Sequence, residues 1–548
     1  MPPRRLLAPK TLEELCLNEI VQYLTRECLF CTQVKKYQKS SLLLRRRGLN
    51  AQTLEKELES YLDILPPLLN ESVRQHITNE VLNATSGSAL SQQDICVSLL
   101  AIVLNKDVKT LEFRDEAHAS LVSPIWPIVM KKCTGLKRFV MADNTINVQT
   151  VHHLQPILKI VISNCQTLTE LILKNVAQGF STMSMIGRTC SFLKLLDITG
   201  SRINCMEFAH LLVYSAKTRN INIEGVINGT VDLPLNPMCS TLEVLLLADT
   251  EVKVKGAALA VKMLPNLTSM GNFVHLAAGL KFLYGTKAKP PVPLKITQAK
   301  YYGPSHNKLR TLANCCPNLD TLNIGNYKHR ELAPSLMTYK HLKNLTLENV
   351  EFEAFLACTT LLPQLIDLKL TTNGIDVGQL GMYCINLENL WLCGEPLRIP
   401  SRPPNCQPFV KLKKLKMQCL ASAECVGYIV RHATGLKVID LYRVKDLNDK
   451  VFAKWFQWNP LQYLETLMIR YADITRETIN LLLENCPNLT RLGELGGWDI
   501  RSWERRRISD LVLRQNYKLH LVLCSRNADS IIIDILNDYT SSDDELGH

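Results

Sequence analysis

The stretch LIDLKLTTNGIDVGQLGMYC, residues 365–384, is the reading that decides the fold. Leu365, Leu368 and Leu370 follow an apolar-x-x-apolar-x-apolar pattern, and alternation at Leu368 and Leu370 gives a short strand one buried face. A turn around Gly374 and a returning helix that ends at Cys384 complete the unit. Working outward, the same signature begins at Val108, Leu136, Leu168, Leu193, Leu242, Leu319, Leu342, Leu387, Leu412, Leu436 and Leu464, with weaker copies at Leu267 and Leu489. The usual step is 22 to 28 residues. The gaps from Leu193 to Leu242 and from Leu267 to Leu319 each hold about two steps, and the first is expected to contain a degenerate strand at Ile221-Asn222-Ile223. Units that cannot bury their apolar face alone must stack, so the pattern predicts an α/β solenoid, with a curved parallel sheet on the concave side and helices outside.

A second regularity narrows the class. Cys133, Cys165, Cys190, Cys239, Cys316, Cys384 and Cys486 each stand three residues before the first leucine of a unit, as in Cys316-Pro317-Asn318-Leu319. A metal or redox site would not recur once per layer, whereas a small buried apolar residue at a helix-to-strand turn would. Residues 108–500 therefore resemble the cysteine-containing leucine-rich repeat (LRR) class common among ubiquitin-ligase receptors.

The boundaries follow from the repeat. Residues 1–82 form a helical region, 83–107 a cap or linker, 108–524 the solenoid and 525–548 a C-terminal segment ending in the acidic SSDDELGH. Segment 273–306, with KAKPPVP, Gly303 and Pro304, breaks the period and is expected to be an insertion or a loop between layers.

Composition bounds the function. The chain has 548 residues, 46% hydrophobic and 21% charged, which is the balance of a folded protein. A net charge of +12 over that length is a mild bias, and the clusters Arg45-Arg46-Arg47 and Arg505-Arg506-Arg507 lack interleaved aromatic residues, so nucleic acid is not expected as a partner. The opening residues lack a signal-peptide pattern and no long apolar run marks a membrane span, so a cytoplasmic or nuclear setting, with the 19 cysteines reduced, is expected. Phosphate-cradling loops, H-E-x-x-H and G-x-S-x-G are missing, and Cys28-x-x-Cys31 has no second pair. The expectation is an interaction protein, without cofactor or metal, and not an enzyme.

The N-terminal region carries the remaining signal. Thr11 and Glu14 form a capping-box pattern, after which Leu12, Cys16, Ile20 and Leu24 share a helix face. So short a helix needs a partner surface, and capping the open end of the solenoid is one use for it. Thr11-Leu12-x-x-x-Cys16-x-x-x-Ile20 also resembles the BC box, through which VHL-box and SOCS-box receptors bind Elongin C. That resemblance implies that Leu12 fills an apolar pocket, that Cys16 permits close helix approach and that Ile20 extends the contact. Downstream, Leu65-Pro66-x-x-Leu69-x-x-x-Val73 resembles the cullin box of VHL-box receptors. Two such boxes ahead of an LRR domain are the layout of the Zyg-11 group, which implies a substrate receptor that binds Elongin B, Elongin C and a cullin of the VHL-box class. About 45 residues separate the boxes, longer than in the tightest examples, and no armadillo-repeat extension follows. Residues 65–82 also resemble the opening of an F-box, although the later tryptophan-containing helix is missing.

Side chains interleaved with the buried leucines point into the concave face of such a solenoid. Lys369, Trp391, Lys416, Asp440, Tyr442, Arg443, Met468, Arg470 and Tyr471 occupy those positions, against small or neutral residues such as Thr199, Ala248 and Thr346 elsewhere. Aromatic residues and arginine most often dominate binding energy. This C-terminal stretch is the expected surface for protein substrates, and its basic, aromatic character suits an acidic or carboxylate-bearing peptide; packing of Trp391 and Tyr442 on neighbouring repeats is the other reading.

Overall fold

A computed structural model describes most of residues 100–522 and several helical positions between 60 and 78; residues 1–59, 63–70, 79–99, 114–127, 143–157 and 523–548, and shorter stretches elsewhere, lie outside the described residues. The chain divides into two compact units, the first holding residues 10–301 and 307–317 and the second residues 302–306 and 318 onward.

In the first unit, β1 (Thr110–Phe113), β2 (Arg138–Ala142), β3 (Glu170–Lys174), β4 (Leu195–Asp197) and β5 (Val244–Leu246) form a parallel sheet in chain order. Leu111, Phe139, Leu171, Leu196 and Leu245 stand in register across it, and each is fully buried. Ser269 bridges Val244 to Gln298, the first residue of β6 (Gln298–Tyr302).

In the second unit, β7 (Thr321–Gly325), β8 (Asn344–Glu348), β9 (Asp367–Thr371), β10 (Asn389–Cys393), β11 (Lys414–Ser422), β12 (Val438–Asn448), β13 (Thr466–Asp473), β14 (Arg491–Gly493) and β15 (His520–Val522) again pair parallel in chain order. Leu322, Leu345, Leu368, Leu390, Leu415, Ile439, Leu467, Leu492 and Leu521 form one ladder of buried residues. Parallel neighbours require a crossover, and helices such as Val377–Tyr383, Ala423–His432, Asp449–Trp458 and Arg476–Asn485 supply it. The chain is an LRR solenoid.

The recurring cysteine has a defined task. Cys190, Cys384 and Cys486 cap the C-termini of their helices, their N–H groups donating to the carbonyls of Ile186, Leu380 and Leu482. Three residues on, the N–H of Leu193, Leu387 and Leu489 donates back to the cysteine carbonyl. Ala433 does the same work after the helix Ala423–His432, so the position asks for a small apolar side chain and not for sulfur. Burial pushes the thiols of Cys384 and Cys486 up to about 12, which keeps them protonated. Cys165 lies outside the described residues.

Asparagine supplies the other punctuation. Asn175, Asn326 and Asn349 each follow a strand directly and hold φ of 58°, 54° and 55°, a left-handed turn that asparagine tolerates better than branched residues. Asn266, Asn386 and Asn488, just before the first leucine of a repeat, donate from Nδ2 to the carbonyls of Ser240, Pro363 and Gln462 in the preceding layer.

Two expectations are corrected. Ile221-Asn222-Ile223 forms no strand: β4 pairs directly with β5, while Asn222 caps a helix at Ile223–Asn228. Conversely, segment 273–306 is not a loop insertion, since it holds the helix Leu276–Tyr284 and all of β6. Ile296, Ala299 and Tyr301 are buried and fill the repeat template with one small and one aromatic residue.

Toward the N-terminus, helical positions within 71–78 bury Val73, Arg74, Ile77 and Thr78. Gln75 Nε2 donates to the Thr110 carbonyl at 2.8 Å, and the Thr110 N–H donates to Gln75 Oε1 at 3.0 Å. The side-chain amide thus stands in for a neighbouring strand at Thr110 of β1, whose pairing groups would otherwise lack a partner.

An electrostatic joint stabilises two later layers. The Thr475 N–H and the Thr478 hydroxyl donate to Asp449 Oδ1, and the Thr475 hydroxyl donates to Oδ2 at 2.8 Å. Burial opposes the charge, but these bonds outweigh it and hold the Asp449 carboxyl below its ordinary value. A lowered folded-state pKa contributes stability above the unfolded-state value and loses it as pH falls through the folded one. The urea midpoint of wild type should therefore exceed that of Asp449→Asn by a constant margin from pH 7 to about 5, and the margin should shrink below about pH 4. A margin unchanged down to pH 3 would count against an ionised joint.

Candidate functional site

On the concave face of the second unit the side chains that alternate with the buried ladder form rows across the strands. One row runs through Asn323, Thr346, Lys369, Trp391, Lys416 and Asp440, which stand in register. Lys369 Nζ lies 3.9 Å and Lys416 Nζ 4.6 Å from the centroid of the Trp391 ring, so the indole receives an ammonium from the strand on each side. Lys416 Nζ also meets Asp440 Oδ2 at 3.2 Å.

A parallel row, two residues earlier on each strand, holds Thr321, Asn344, Asp367, Asn389 and Lys414. Asn344 Nδ2 donates to Thr321 Oγ1 at 2.9 Å, and Asn389 Nδ2 donates to the Asp367 carboxylate. Between the rows lies a hollow of about 250 Å³, floored by Leu345, Leu368 and Leu390. Its lining includes three lysines and one carboxylate, Asp367. Lys369 and Lys414 form no ion pair among the described residues, and the Trp391 Nε1 donor is buried with no acceptor there.

A second cluster sits further along. Tyr442 and Tyr471 meet edge to face at 5.9 Å, and the Arg470 guanidinium lies 5.5 Å from the Tyr442 ring while its Nε meets Glu494 Oε1 at 3.1 Å. Tyr442 and Tyr471 remain 42% and 54% exposed, so they keep contact area for a partner despite stacking on each other. Arg443 pairs with Tyr471 through the strand register. The first unit is different: Arg138 lies between Glu112 and Glu170, Lys174 meets Asp197, and Lys194 meets Glu243, so its corresponding charges are already compensated.

Of the site residues read from sequence, Lys369, Trp391, Lys416 and Asp440 form one connected row, and Tyr442, Arg470 and Tyr471 the second cluster. Lys414, Asp367, Asn389 and Glu494 were missed. The first three had a legible signal, because a residue two positions before a concave one shares its face. Leu12, Cys16, Ile20, Leu65, Pro66 and Leu69 lie outside the described residues, as does the Cys28 and Cys31 pair. Val73, the fourth residue of the second box, is among the described residues and is fully buried. No group of three or more metal-ligating side chains occurs among the described residues, and no described helix is long and apolar enough to cross a membrane.

No protein-family model and no curated protein sequence matches the chain. Among solved structures, it is similar to the Rad7 and Elc1 complex of yeast, at 13% identity and a TM-score of 0.35 over 86% of this chain and 99% of that one. It is also similar to the LRR protein LIC12759 of Leptospira interrogans, at 15% identity and a TM-score of 0.30 over 77% and 91% of the two chains. A third similarity is to a complex of TLR13 with ssRNA13, at 13% identity and a TM-score of 0.31 over 77% and 65%.

Proposed function

We propose that this chain is the substrate-recognition subunit of a cullin-RING ubiquitin ligase, with the concave face of the second unit as its surface for target proteins. The observation that carries the recognition half is the row Lys369, Trp391, Lys416, which places uncompensated charge and a large aromatic ring on a rigid sheet. The ligase half rests on the order of the boxes in the sequence: Leu12, Cys16 and Ile20 for Elongin C with Elongin B, then Leu65, Pro66 and Leu69 for a cullin of the VHL-box class. Catalysis would come from those partners, in the cytoplasm or nucleus, and the chain would act by positioning its target.

The test uses the full chain. Leu12→Ser together with Cys16→Phe should reduce co-purification of Elongin B and C to background, because an apolar helix stripe is stabilised at an interface by about 25 cal/mol per Å². Far-ultraviolet circular dichroism should be unchanged. Capture equal to wild type would overturn the adaptor assignment. It would favour a non-ligase LRR scaffold, the reading to which the buried Val73 and the Gln75 contacts on β1 lend support.

A further inference from the structure

The charges around the hollow at Trp391 are unbalanced. Lys416 is answered by Asp440 at 3.2 Å, and Asp367 is engaged by the Asn389 amide. Lys369 and Lys414 have no carboxylate partner among the described residues, and both line the same hollow. The Trp391 Nε1 donor lacks an acceptor although it is buried, and a buried donor left unpaired favours any ligand that supplies an oxygen. Two ammonium groups without a carboxylate partner and one indole N–H, over a floor of leucines, match a compact group that carries close to two negative charges and several acceptor oxygens. A phosphorylated side chain has about −1.5 to −2 charge at neutral pH and three such oxygens; a carboxylate has half the charge.

We propose that this hollow binds the phosphoryl group of a phosphorylated side chain in the target protein, with Lys369 and Lys414 matching its charge and the Trp391 indole N–H as a directional donor. The proposal rests on the reading of the concave face as the target surface, and it replaces a generally acidic peptide with a target that becomes recognisable on modification. Lys369 and Lys416 shield the indole from both sides, and a phosphoryl group that draws Lys369 toward itself leaves Lys416 held by Asp440. The hollow would thus exchange one of two cation–aromatic contacts for a charge-assisted hydrogen bond, keeping the ring oriented.

The experiment reads Trp391 directly. The chain has six tryptophans, so ¹⁵N labelling of indole groups in the full-length protein gives six N–H signals, and Trp391→Phe assigns one of them. Three probes are titrated: N-acetyl-O-phosphoserine methylamide, N-acetyl-aspartate methylamide and orthophosphate. The expected result is a shift of the Trp391 signal with the phosphoserine derivative, half-saturating at roughly tenfold lower concentration than with the aspartate derivative. Lys369→Gln with Lys414→Gln should raise that half-saturation point by roughly tenfold or more while the other five indole signals stay in place, which shows that the variant is folded. Equal response to aspartate would overturn the phosphoryl assignment in favour of a carboxylate. Orthophosphate acting more strongly than the phosphoserine derivative would overturn the side-chain assignment, and no shift with any probe would overturn the site. Elongin capture is scored on the same preparations: its loss with an intact titration overturns the ligase reading alone, and an inert indole signal with intact capture overturns this inference alone.

Discussion

Trp455→Ala is expected to destabilise the second unit by about 3–5 kcal/mol, the range for truncating a large buried aromatic residue. Trp455 is 1% exposed, packs its ring 5.0 Å from that of Phe452, and faces Gly427, where an added Cβ would lie 2.7 Å from Nε1. Helix Asp449–Trp458 thus seats its tryptophan against a notch in the preceding helix Ala423–His432, and alanine would leave a void that the notch glycine cannot fill. Urea unfolding followed by circular dichroism checks this, with Trp503→Ala as the control because Trp503 is 48% exposed. A midpoint shift for Trp455→Ala no larger than the control's would show that the layers are not locked at this point. The effect should be felt mainly in the adjoining layers, since stability in a solenoid is close to a sum of nearest-neighbour terms.

The second large effect concerns buried asparagines. Asn459 Nδ2 donates to the carbonyls of Val430 and Ala433, at 2.7 and 3.0 Å, and its Oδ1 accepts from the Leu461 N–H at 3.0 Å. One amide therefore satisfies the end of the preceding helix and fixes the turn that follows its own helix. Asn236 does half of this in the first unit, donating to the carbonyls of His210 and Leu211 while its Oδ1 has no partner. Leucine at either position matches the volume and removes the bonds; at 459 it strips the Val430 carbonyl and the Leu461 N–H, while the Ala433 carbonyl keeps its bond from the Leu436 N–H, and each buried group left unpaired costs about 1–3 kcal/mol. Asn459→Leu should cost about 3 kcal/mol or more and Asn236→Leu about 1 kcal/mol less, because Asn236 already carries an unsatisfied oxygen that leucine removes. Urea midpoints of the two variants decide the order. Equal costs would mean that the Leu461 bond contributes nothing.

The repeat was legible because the constraint behind it is repeated: a buried face at Leu368 and Leu370 recurs in layer after layer, and one template finds most of them. Legibility failed where tertiary packing accepted an unusual residue. Ala299 and Tyr301 are a small and an aromatic residue in leucine positions, so β6 read as a loop, although Ile296, Ala299 and Tyr301 keep the spacing. The opposite error occurred at Ile221 and Ile223, whose alternation is local coincidence on the way into a helix capped by Asn222. For the concave site, direction was readable from strand parity, which brought Lys369, Trp391 and Lys416 together. Which charges are compensated was not readable, because Asp440 answering Lys416 and Glu494 answering Arg470 are matters of side-chain reach. The anchoring of the helical positions at 71–78 was equally hidden, since Arg74 and Gln75 donate to the carbonyls of Val103 and Thr110, 29 and 35 residues away in sequence.

The in-register row on β9 to β12 also acts as a measuring scale. Neighbouring strands are about 4.8 Å apart, so Lys369, Trp391, Lys416 and Asp440 mark graduations of that interval over about 14 Å. A peptide laid across the strands has side chains on one side every 6.7 Å or so, about twice the rise of an extended residue. The two intervals fall out of step at once and coincide again only after about 34 Å, seven strands or ten peptide residues. Nothing drawn across this face can therefore meet successive strands with successive side chains. Such a mismatch concentrates discrimination on one well-placed group, while the flanking sequence is left free to vary.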